Sequence, residues 1–596
     1  MSKFNLLSQK LKITSLLDLA LTIPISYQDN SISQSININV INTFDAIIKK
    51  INSYNGKLFI EFYIPKFQKT IKSIFFRTTA YHYQEFILGS KVTIQGKLLE
   101  YKNTLQMNQP KSLAKNGEIV PKYKTKLKQY EMLEFIKEYI TSDNLAKEGL
   151  LKEEIDTLLS IHFPKKLEDI NLNDETLEIL KKIEAFNYIK KLTVKRVDYP
   201  PVKSLNGDIK EFIKSLPFKL TPEQKSAIDD IRKDFLSTKK ASKRMIVGDV
   251  GSGKTIVILA SVMMAYPDKS ILMAPTSLLA IQLYEEAIKF LPENIKIALV
   301  IQNRKIGDYQ ESDFVIGTHA LLFKKNLPKA PLIMVDEQHR FGTKQRQKLE
   351  TMARGVDKDK HSHFLQFSAT PIPRTQAMMD SALIDMSLIT KTPFKKQINT
   401  EVIGKSDFPN LLDKIKDEIS KNHQILIVYP LVEESESIDY QSLDEARDFW
   451  ENRFENVYLT HGKDKNKEKV LVDFREDGNI LLATTVVEVG ISLPRLTVIV
   501  IVGAERLGLA TLHQLRGRVG RVGLESWCYL FSYKTSIKRL YSFAKTTNGF
   551  DIALLDLKYR NSGDILDGKK QSGQKFKWLN LADDEEIIKE VQKRIT

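Results

Sequence analysis

The chain has 596 residues, 42% of them hydrophobic, and it carries 90 Lys and Arg against 74 Asp and Glu. This length predicts about three to five domains. The net charge of +16 favours a polyanionic partner, with a lysine-rich surface that reflects composition alone as the alternative. A single cysteine excludes an internal disulfide and a cysteine zinc cluster, and no stretch reaches the roughly 18 apolar residues of a membrane helix, so we expect a cytoplasmic protein.

The first 125 residues predict short helices followed by a β-rich domain. Residues 1–30 have the pattern of short amphipathic helices that end at Pro24. Short apolar runs then recur, separated by turn signals, at 44–48, 58–64, 74–76 and 91–96. This spacing is typical of a small β-barrel, and an OB-fold is its expected form. Residues 126–209, rich in Leu, Ile, Glu and Lys, predict a helical linker.

From about residue 210, apolar strands alternate with amphipathic helices, which predicts parallel α/β sheets. Candidate strands lie at 245–247, 271–274, 314–316, 331–335 and 364–367, and then at 424–429, 457–459, 480–484, 497–502 and 527–532. The two sets indicate two lobes, at 210–395 and 396–540, with a cleft between them, and residues 541–596 form a C-terminal tail. The predicted fold class is therefore multidomain α/β, with two parallel-sheet lobes after the β-barrel domain.

Residues 248–255 match the spacing of a phosphate-binding P-loop and stand between two apolar runs. Glycines in such a loop let backbone N–H groups close around phosphate oxygens, and an ordinary Gly-rich turn is the alternative. Lys254 would supply a charge for the β and γ phosphates of ATP, and Thr255 a hydroxyl for Mg²⁺. The predicted nucleotide contacts in the loop are Gly248, Gly251, Ser252, Gly253, Lys254 and Thr255.

Asp336 and Glu337 follow directly after an apolar run at 331–335. In a P-loop enzyme, the first acid can hold the Mg²⁺ shell and the second can orient and deprotonate the attacking water. Two acids after a strand are usually a solvated loop, and only the presence of the P-loop favours the catalytic interpretation.

Gln224 stands 24 residues before the P-loop, at the start of a predicted helix. A glutamine amide both donates and accepts hydrogen bonds, so it can pair with an adenine edge. A surface glutamine is the alternative.

Ser368-Ala369-Thr370 follows the candidate strand at 364–367. Small hydroxyl residues at a strand end between two lobes can relay the state of the nucleotide to a bound strand. An ordinary turn is the alternative.

The second lobe carries Arg518 and Arg521 in a run that also contains Gly517 and Gly520. Arginine keeps its charge and forks onto phosphate oxygens. Placed three apart on one helix face, the two arginines are predicted to reach the γ-phosphate as a finger pair. A solvated basic helix is the alternative, although its glycines would weaken it.

Together these motifs resemble superfamily 2 helicases and translocases, and specifically the bacterial RecG family. The resemblance rests on GDVGSGKT (248–255), VDEQHRFG (335–342), SATPIPRT (368–375), and the stretch from 481 to 494 that leads to ERLGLATLHQLRGRVGRVG (505–523). DEQHRFG and SATPIPRT are shared by RecG and its relative Mfd, a longer chain with further domains. The resemblance implies two RecA-like motor lobes, an OB-fold wedge within 1–125 and a translocation hairpin and hook in the tail.

For the wedge, the resemblance points to aromatic side chains on which unpaired bases can stack. The candidates are Phe75, Phe76, Tyr81 and Tyr83, and strand alternation requires one of the two phenylalanines to face the core. In the tail, Arg560 fits one family arginine, whereas Lys570, beside Gln571, stands where a hook arginine is expected. Ser492 also departs from the family, which usually has Asp at this position of its fifth motif.

The resulting prediction is an ATP- and Mg²⁺-dependent DNA helicase that remodels stalled forks, Holliday junctions and R-loops in recombination and repair. We expect a monomer that binds branched duplex DNA, with single-strand-binding protein as a candidate partner and no membrane association. The alternatives are a DExH-type RNA helicase, a non-catalytic nucleic-acid-binding scaffold and a nucleotide-switch protein.

Overall fold

The structure is a computed structural model that describes residues 3–113, 118–167, 170, 173–302, 304–354, 359–370, 372–393, 397–430, 442–484, 493–520, 523–534, 537–561 and 576–595. It divides into two units. Unit 1 comprises Met1–Asn187 and Lys577–Leu579, and unit 2 comprises Tyr188–Phe576 and Asn580–Thr596. Within the described residues, no helix is both long and apolar enough to cross a membrane.

Unit 1 combines short strands with helices. Its strands are β1 (Ser26–Asp29), β2 (Ile41–Tyr54), β3 (Lys57–Ile64), β4 (Lys69–Phe75), β5 (Lys91–Lys97), β6 (Leu99–Tyr101), β7 (Thr104–Gln106), β8 (Lys111–Ser112) and β9 (Ile119–Lys122). Its helices are α1 (Lys3–Leu11), α2 (Leu16–Ala20), α3 (Ala80–Glu85), α4 (Gln129–Tyr139), α5 (Ser142–Lys147), α6 (Lys152–His162) and α7 (Asp174–Lys195), the last of which continues into unit 2.

Seven of these strands form one sheet in the order β6-β7-β4-β3-β2-β5-β8. The long strand β2 pairs with β5 through its first half and with β3 through its second half, and the register shifts between Ile48 and Lys50. Alternate residues of β3, including Leu58, Ile60 and Phe62, point into the core of the sheet, as a period of two requires. The β-rich prediction for 44–112 is thus confirmed.

The first lobe of unit 2 is an eight-stranded sheet. Its strands are β10 (Lys243–Gly248), β11 (Ser270–Met273), β12 (Ile297–Val300), β13 (Lys305–Ile306), β14 (Phe314–Gly317), β15 (Leu332–Val335), β16 (His363–Ser368) and β17 (Asp385–Ile389). Its helices are α8 (Lys210–Ser215), α9 (Pro222–Phe235), α10 (Lys254–Ala265), α11 (Ser277–Phe290), α12 (Thr343–Ala353) and α13 (Arg374–Asp380).

The strand order of this lobe is β13-β12-β14-β11-β15-β16-β10-β17, and every pairing except β12 with β13 is parallel. Because β15, β16 and β10 are neighbours, the segments that follow them emerge at one carboxyl edge of the sheet. This edge therefore brings together the P-loop, Asp336-Glu337 and residues 368–370, in the position where open α/β sheets bind ligands.

The second lobe is a six-stranded parallel sheet in the order β18-β23-β22-β19-β21-β20. Its strands are β18 (Ile398–Ile403), β19 (Gln424–Val428), β20 (Val457–Thr460), β21 (Ile480–Ala483), β22 (Leu496–Val502) and β23 (Ser526–Phe531). Its helices are α14 (Phe408–Ser420), α15 (Leu443–Glu451), α16 (Lys467–Asp477) and α17 (Leu509–Arg516), and the tail adds α18 (Lys538–Lys545), α19 (Gly549–Asn561) and α20 (Glu585–Ile595).

Each of the ten candidate strands of the motor overlaps an observed strand, and five of them extend one residue beyond it. The sequence prediction missed β12, β13, β17 and β18, of which β17 and β18 mix polar and apolar side chains and are only partly buried. Two parallel sheets confirm the two-lobe α/β prediction. The predicted domain boundaries remain predictions, because the structure divides into only two units and both lobes belong to unit 2. These boundaries are 1–125, 126–209, 210–395, 396–540 and 541–596.

Candidate nucleotide-binding site

The P-loop folds into a tight anion cradle between β10 and α10. Gly251 and Gly253 have φ values of 83° and 79°, which favour glycine. The hydroxyl of Ser252 is buried and has no hydrogen-bond partner in the loop. The Lys254 ammonium donates to the carbonyl oxygens of Gly248, at 2.9 Å, and Asp249, at 3.2 Å. Three features fit a phosphate group: the buried Ser252 hydroxyl, the Lys254 ammonium that donates to loop carbonyls, and the N-terminus of α10.

Gln224 lies directly under the loop and not on the surface. Its Nε2 donates to the Ser252 carbonyl at 2.8 Å, and its Oε1 accepts from the Thr221 backbone N–H at 2.8 Å. A Cβ atom at Gly253 would collide with this amide. Gln224 therefore supports the shape of the P-loop from the first turn of α9, and direct pairing with adenine stays a prediction.

Asp336 is buried at the end of β15, and its Oδ1 accepts from the Glu337 backbone N–H at 2.9 Å. Burial and then the negative charge of Glu337 raise the pKa of Asp336, while the positive charge of Lys254 opposes that rise. A carboxylate that is buried beside another negative charge is stabilised by a bound cation. The described residues contain no group of three His, Cys, Asp or Glu placed for a metal, so Mg²⁺ would depend on Asp336, half-buried Thr255 and non-protein oxygens.

Glu337 connects the acidic pair to the following strand. Its backbone is left-handed, with φ 47°, and its Oε2 accepts from the Ala369 backbone N–H at 3.0 Å. The neighbouring Thr370 hydroxyl accepts from Gln514 Nε2 of the second lobe at 2.8 Å. Residues 368–370 thus link the predicted water-orienting acid to the opposite lobe, which supports the relay prediction.

Arg518 does not lie on the helix that the sequence predicted for it. Helix α17 ends at Arg516, Gly517 forms its C-cap, and Arg518 lies in the turn beyond. The turn lets Gly517 approach Val250 of the P-loop so closely that a Cβ atom there would lie 2.7 Å from Val250 Cγ1. The helix prediction was therefore wrong at this point. Arg518 is buried, Arg521 lies outside the described residues, and their finger roles remain predictions.

The structure also reveals an interlobe contact that the sequence analysis missed. Asp249 Oδ1 lies 2.5 Å from His513 Nε2, and Asp249 Oδ2 accepts from the Gly549 backbone N–H at 2.8 Å. Burial alone would raise the pKa of Asp249, but hydrogen bonds from His513, Gly549 and Val250 hold it below its usual value. The sequence did contain a signal for this contact. Asp249 is a carboxylate in an anion-binding loop, so its side chain must point away from the phosphates and toward another part of the protein.

The candidate DNA contacts divide clearly. Phe75 is 2% exposed and packs in the core of unit 1 with its ring 5.2 Å from that of Phe86, so the prediction that it stacks on a base is corrected. Phe76, Tyr81 and Tyr83 are exposed by 47%, 56% and 50%.

The tail candidates are less fully described. Arg560 lies in α19, and only its backbone is described. Lys570, Gln571 and Ser492 lie outside the described residues.

Comparison with known proteins gives a consistent result. Models described as DEAD/DEAH box helicase and Helicase conserved C-terminal domain match residues 221–379 and 408–523. ATP-dependent DNA helicase RecG of Helicobacter pylori is 44% identical over 100% of this chain and 98% of its own length. RecG of Thermotoga maritima is 35% identical over 85% of this chain and 70% of its own length. A solved RecG bound to a three-way DNA junction is 29% identical, covers 98% of this chain and 83% of its own, and has a TM-score of 0.55.

Proposed function

The chain belongs to the RecG family of ATP-dependent DNA helicases, and from that premise we propose that it hydrolyses ATP to remodel stalled forks, Holliday junctions and R-loops. The observation that supports this best is the hydrogen-bonded path from Glu337 through Ala369 and Thr370 to Gln514. It joins the predicted catalytic acid of one lobe to the opposite lobe. Such a path lets closure of the cleft and turnover depend on each other.

Each residue of the proposed ATPase site has its own role. The P-loop N–H groups, Ser252 and Lys254 bind phosphate oxygens, and Lys254 exchanges its two loop carbonyls for them. Asp336 and Thr255 would hold Mg²⁺, which would neutralise phosphate charge. Glu337 orients water and accepts its proton. Arg518 and Arg521 complete the site from the second lobe by stabilising charge on the transferred group.

The β-rich sheet of unit 1 is proposed to be the OB-fold wedge. Its mainly antiparallel pairing and the exposed rings of Phe76, Tyr81 and Tyr83 support a surface on which unpaired bases stack. Arg560, Lys570 and Gln571 are proposed to contact duplex DNA as part of the hairpin and hook. We further propose a cytoplasmic monomer with single-strand-binding protein as a partner.

The test is Lys254→Ala, assayed with fork DNA. We expect loss of DNA-stimulated ATP hydrolysis with fork binding retained, because the substitution removes the phosphate charge and leaves unit 1 untouched. Glutamine at 254 serves as a length-matched control that also lacks the charge and should be equally inactive. Unchanged turnover in Lys254→Ala would contradict the proposed site.

A further inference from the structure

Asp249 forms hydrogen bonds through both its backbone carbonyl and its side-chain carboxylate. Its carbonyl oxygen accepts from the Lys254 ammonium at 3.2 Å, on the side that faces the phosphate cradle. Its carboxylate accepts from the Val250 backbone N–H of the P-loop at 2.6 Å, and it also contacts His513 of the second lobe and Gly549 of the tail. Asp249 thus contacts Lys254, which is predicted to bind phosphate, as well as the second lobe and the tail.

The histidine contact has a defined direction. Arg516 Nη2 lies 3.3 Å from His513 Nδ1, and because a guanidinium can only donate, Nδ1 is the acceptor. The proton of the imidazole therefore sits on Nε2, from which it is donated to Asp249. Arg516 is itself fixed, since it donates to the carbonyl oxygens of Phe543 at 3.2 Å and Thr546 at 2.7 Å.

The tail contact lies at the beginning of a helix. Gly549 is the first residue of α19, so Asp249 caps this helix from the other lobe, where a negative charge meets the positive end of the helix dipole. Helix α19 is attached to α17 by the Leu509 N–H, which donates to Asp556 at 3.4 Å. Space at the cap is tight, because a Cβ atom on Gly549 would lie 2.7 Å from both Asp249 Oδ1 and His513 Nε2.

We propose that Asp249 is a positioning residue that couples the occupancy of the P-loop to the placement of α17 and α19. When Lys254 turns toward phosphate, it releases the Asp249 carbonyl, and the carboxylate carries the resulting backbone movement to His513 and Gly549. Displacement of α19 by DNA acts on the P-loop by the reverse route, as linkage requires. This inference deepens the proposed function and depends on it.

The first test uses Gly549→Ala, which places a methyl group 2.7 Å from both Asp249 Oδ1 and His513 Nε2 and removes no functional group. We expect the fork-stimulated kcat for ATP to fall about tenfold, within the range of a typical coupling between sites, with the KM for ATP changed less than about twofold. The matched control is Gly508→Ala at the N-cap of α17, where a Cβ atom meets nothing within 4 Å. The control should behave as the wild type.

The second test is a double-mutant cycle between Asp249→Asn and His513→Ala, with His513→Gln as the conservative variant that keeps a donor. If the two residues act through one contact, the factor by which the double variant lowers the fork-stimulated kcat should be at most about twice that of the more damaging single variant. His513→Gln should recover most of the wild-type rate. Melting temperatures establish that each variant is folded.

Several outcomes would overturn the inference. These are a wild-type kcat in folded Gly549→Ala, equal losses in Gly549→Ala and Gly508→Ala, fully multiplicative losses in the cycle, or a raised KM with unchanged kcat. An absence of fork stimulation in the wild type would instead contradict the proposed function, so the two failures are distinguishable.

Discussion

Two buried regions of the motor hold carboxylates in opposite states. In the second lobe, the side chain of Glu418 on α14 is 2% exposed and accepts several hydrogen bonds. It accepts from Thr497 at 2.7 Å, Lys414 at 3.1 Å and Lys421 at 3.2 Å, and it lies 2.8 Å from His423. At the carboxyl edge of the first lobe, Asp336 is buried with a raised pKa, and the buried hydroxyl of Ser252 in the P-loop has no hydrogen-bond partner among the described residues. The difference teaches that satisfied buried charge stabilises a lobe, whereas unsatisfied polar groups mark the place of a ligand.

The largest effect that sharpens this comparison is expected for Glu337→Gln. The substitution keeps the shape of the side chain and removes the base, so ATP turnover should fall by about 10²- to 10⁴-fold. It also removes the charge that raises the pKa of Asp336, so the fold should lose no stability. Single-turnover hydrolysis and thermal melting measure the two effects. Turnover near the wild-type rate would contradict the role of Glu337.

The opposite pattern is expected for Glu418→Gln. Losing the charge at the centre of this cluster should lower the free energy of unfolding by about 2–4 kcal/mol. ATP turnover below the melting temperature should stay within about twofold, because the cluster does not touch the P-loop edge. Denaturant unfolding checks the first expectation. Asp413→Asn is the control on the same helix, since the Asp413 side chain is 79% exposed, and it should change little.

The same cluster predicts a dependence on pH. Although burial pulls in the opposite direction, hydrogen bonds from Thr497, His423, Lys414 and Lys421 lower the pKa of Glu418 to about 2. A depressed pKa means that the stabilisation is complete above the unfolded value of about 4.3 and is lost as the pH falls toward 2. The stability difference between wild type and Glu418→Gln should therefore shrink over this window. A difference that stays constant from pH 6 to about pH 2.5 would contradict this assignment.

The smallest effect on fork binding is expected at Phe76, which we compare with its neighbour Phe75 in unit 1. Phe76→Ala should leave stability nearly unchanged and weaken fork binding by about 1 kcal/mol, the lower end for stacking on a base. Phe75→Ala should instead destabilise unit 1 by about 3–5 kcal/mol, because Phe75 fills the core. Fluorescence anisotropy with fork DNA and thermal melting check both. Equal losses of stability would remove the distinction between the inward and outward rings.

The sequence predicted the motor well because its signals are local. A P-loop needs glycines at fixed spacing, and buried parallel strands are continuous apolar runs, so the strands at 245–247 and 331–335 placed Lys254 and Asp336 at one edge. Strand alternation also required one of Phe75 and Phe76 to be buried, but it could not say which.

The sequence failed where partners are distant along the chain. Asp249 meets residues 264 and 300 positions away, and no local pattern encodes such a contact. Gln224 is still predicted to pair with adenine, but the sequence did not show that its amide also supports the P-loop backbone. A helix through Arg518 was predicted from the spacing of the two arginines, but α17 ends at Arg516, and Gly517 at its C-cap closely approaches Val250 of the P-loop.

We propose above all that branched DNA drives ATP turnover at the edge of the first lobe. The most direct measurement is the steady-state ATPase rate of the wild type and Lys254→Ala with fork, Holliday junction, plain duplex, single-stranded DNA and RNA side by side. We expect forks and junctions to stimulate the wild type most and no substrate to stimulate Lys254→Ala. Equal stimulation by RNA or by single-stranded DNA, or any stimulation of Lys254→Ala, would contradict this proposal.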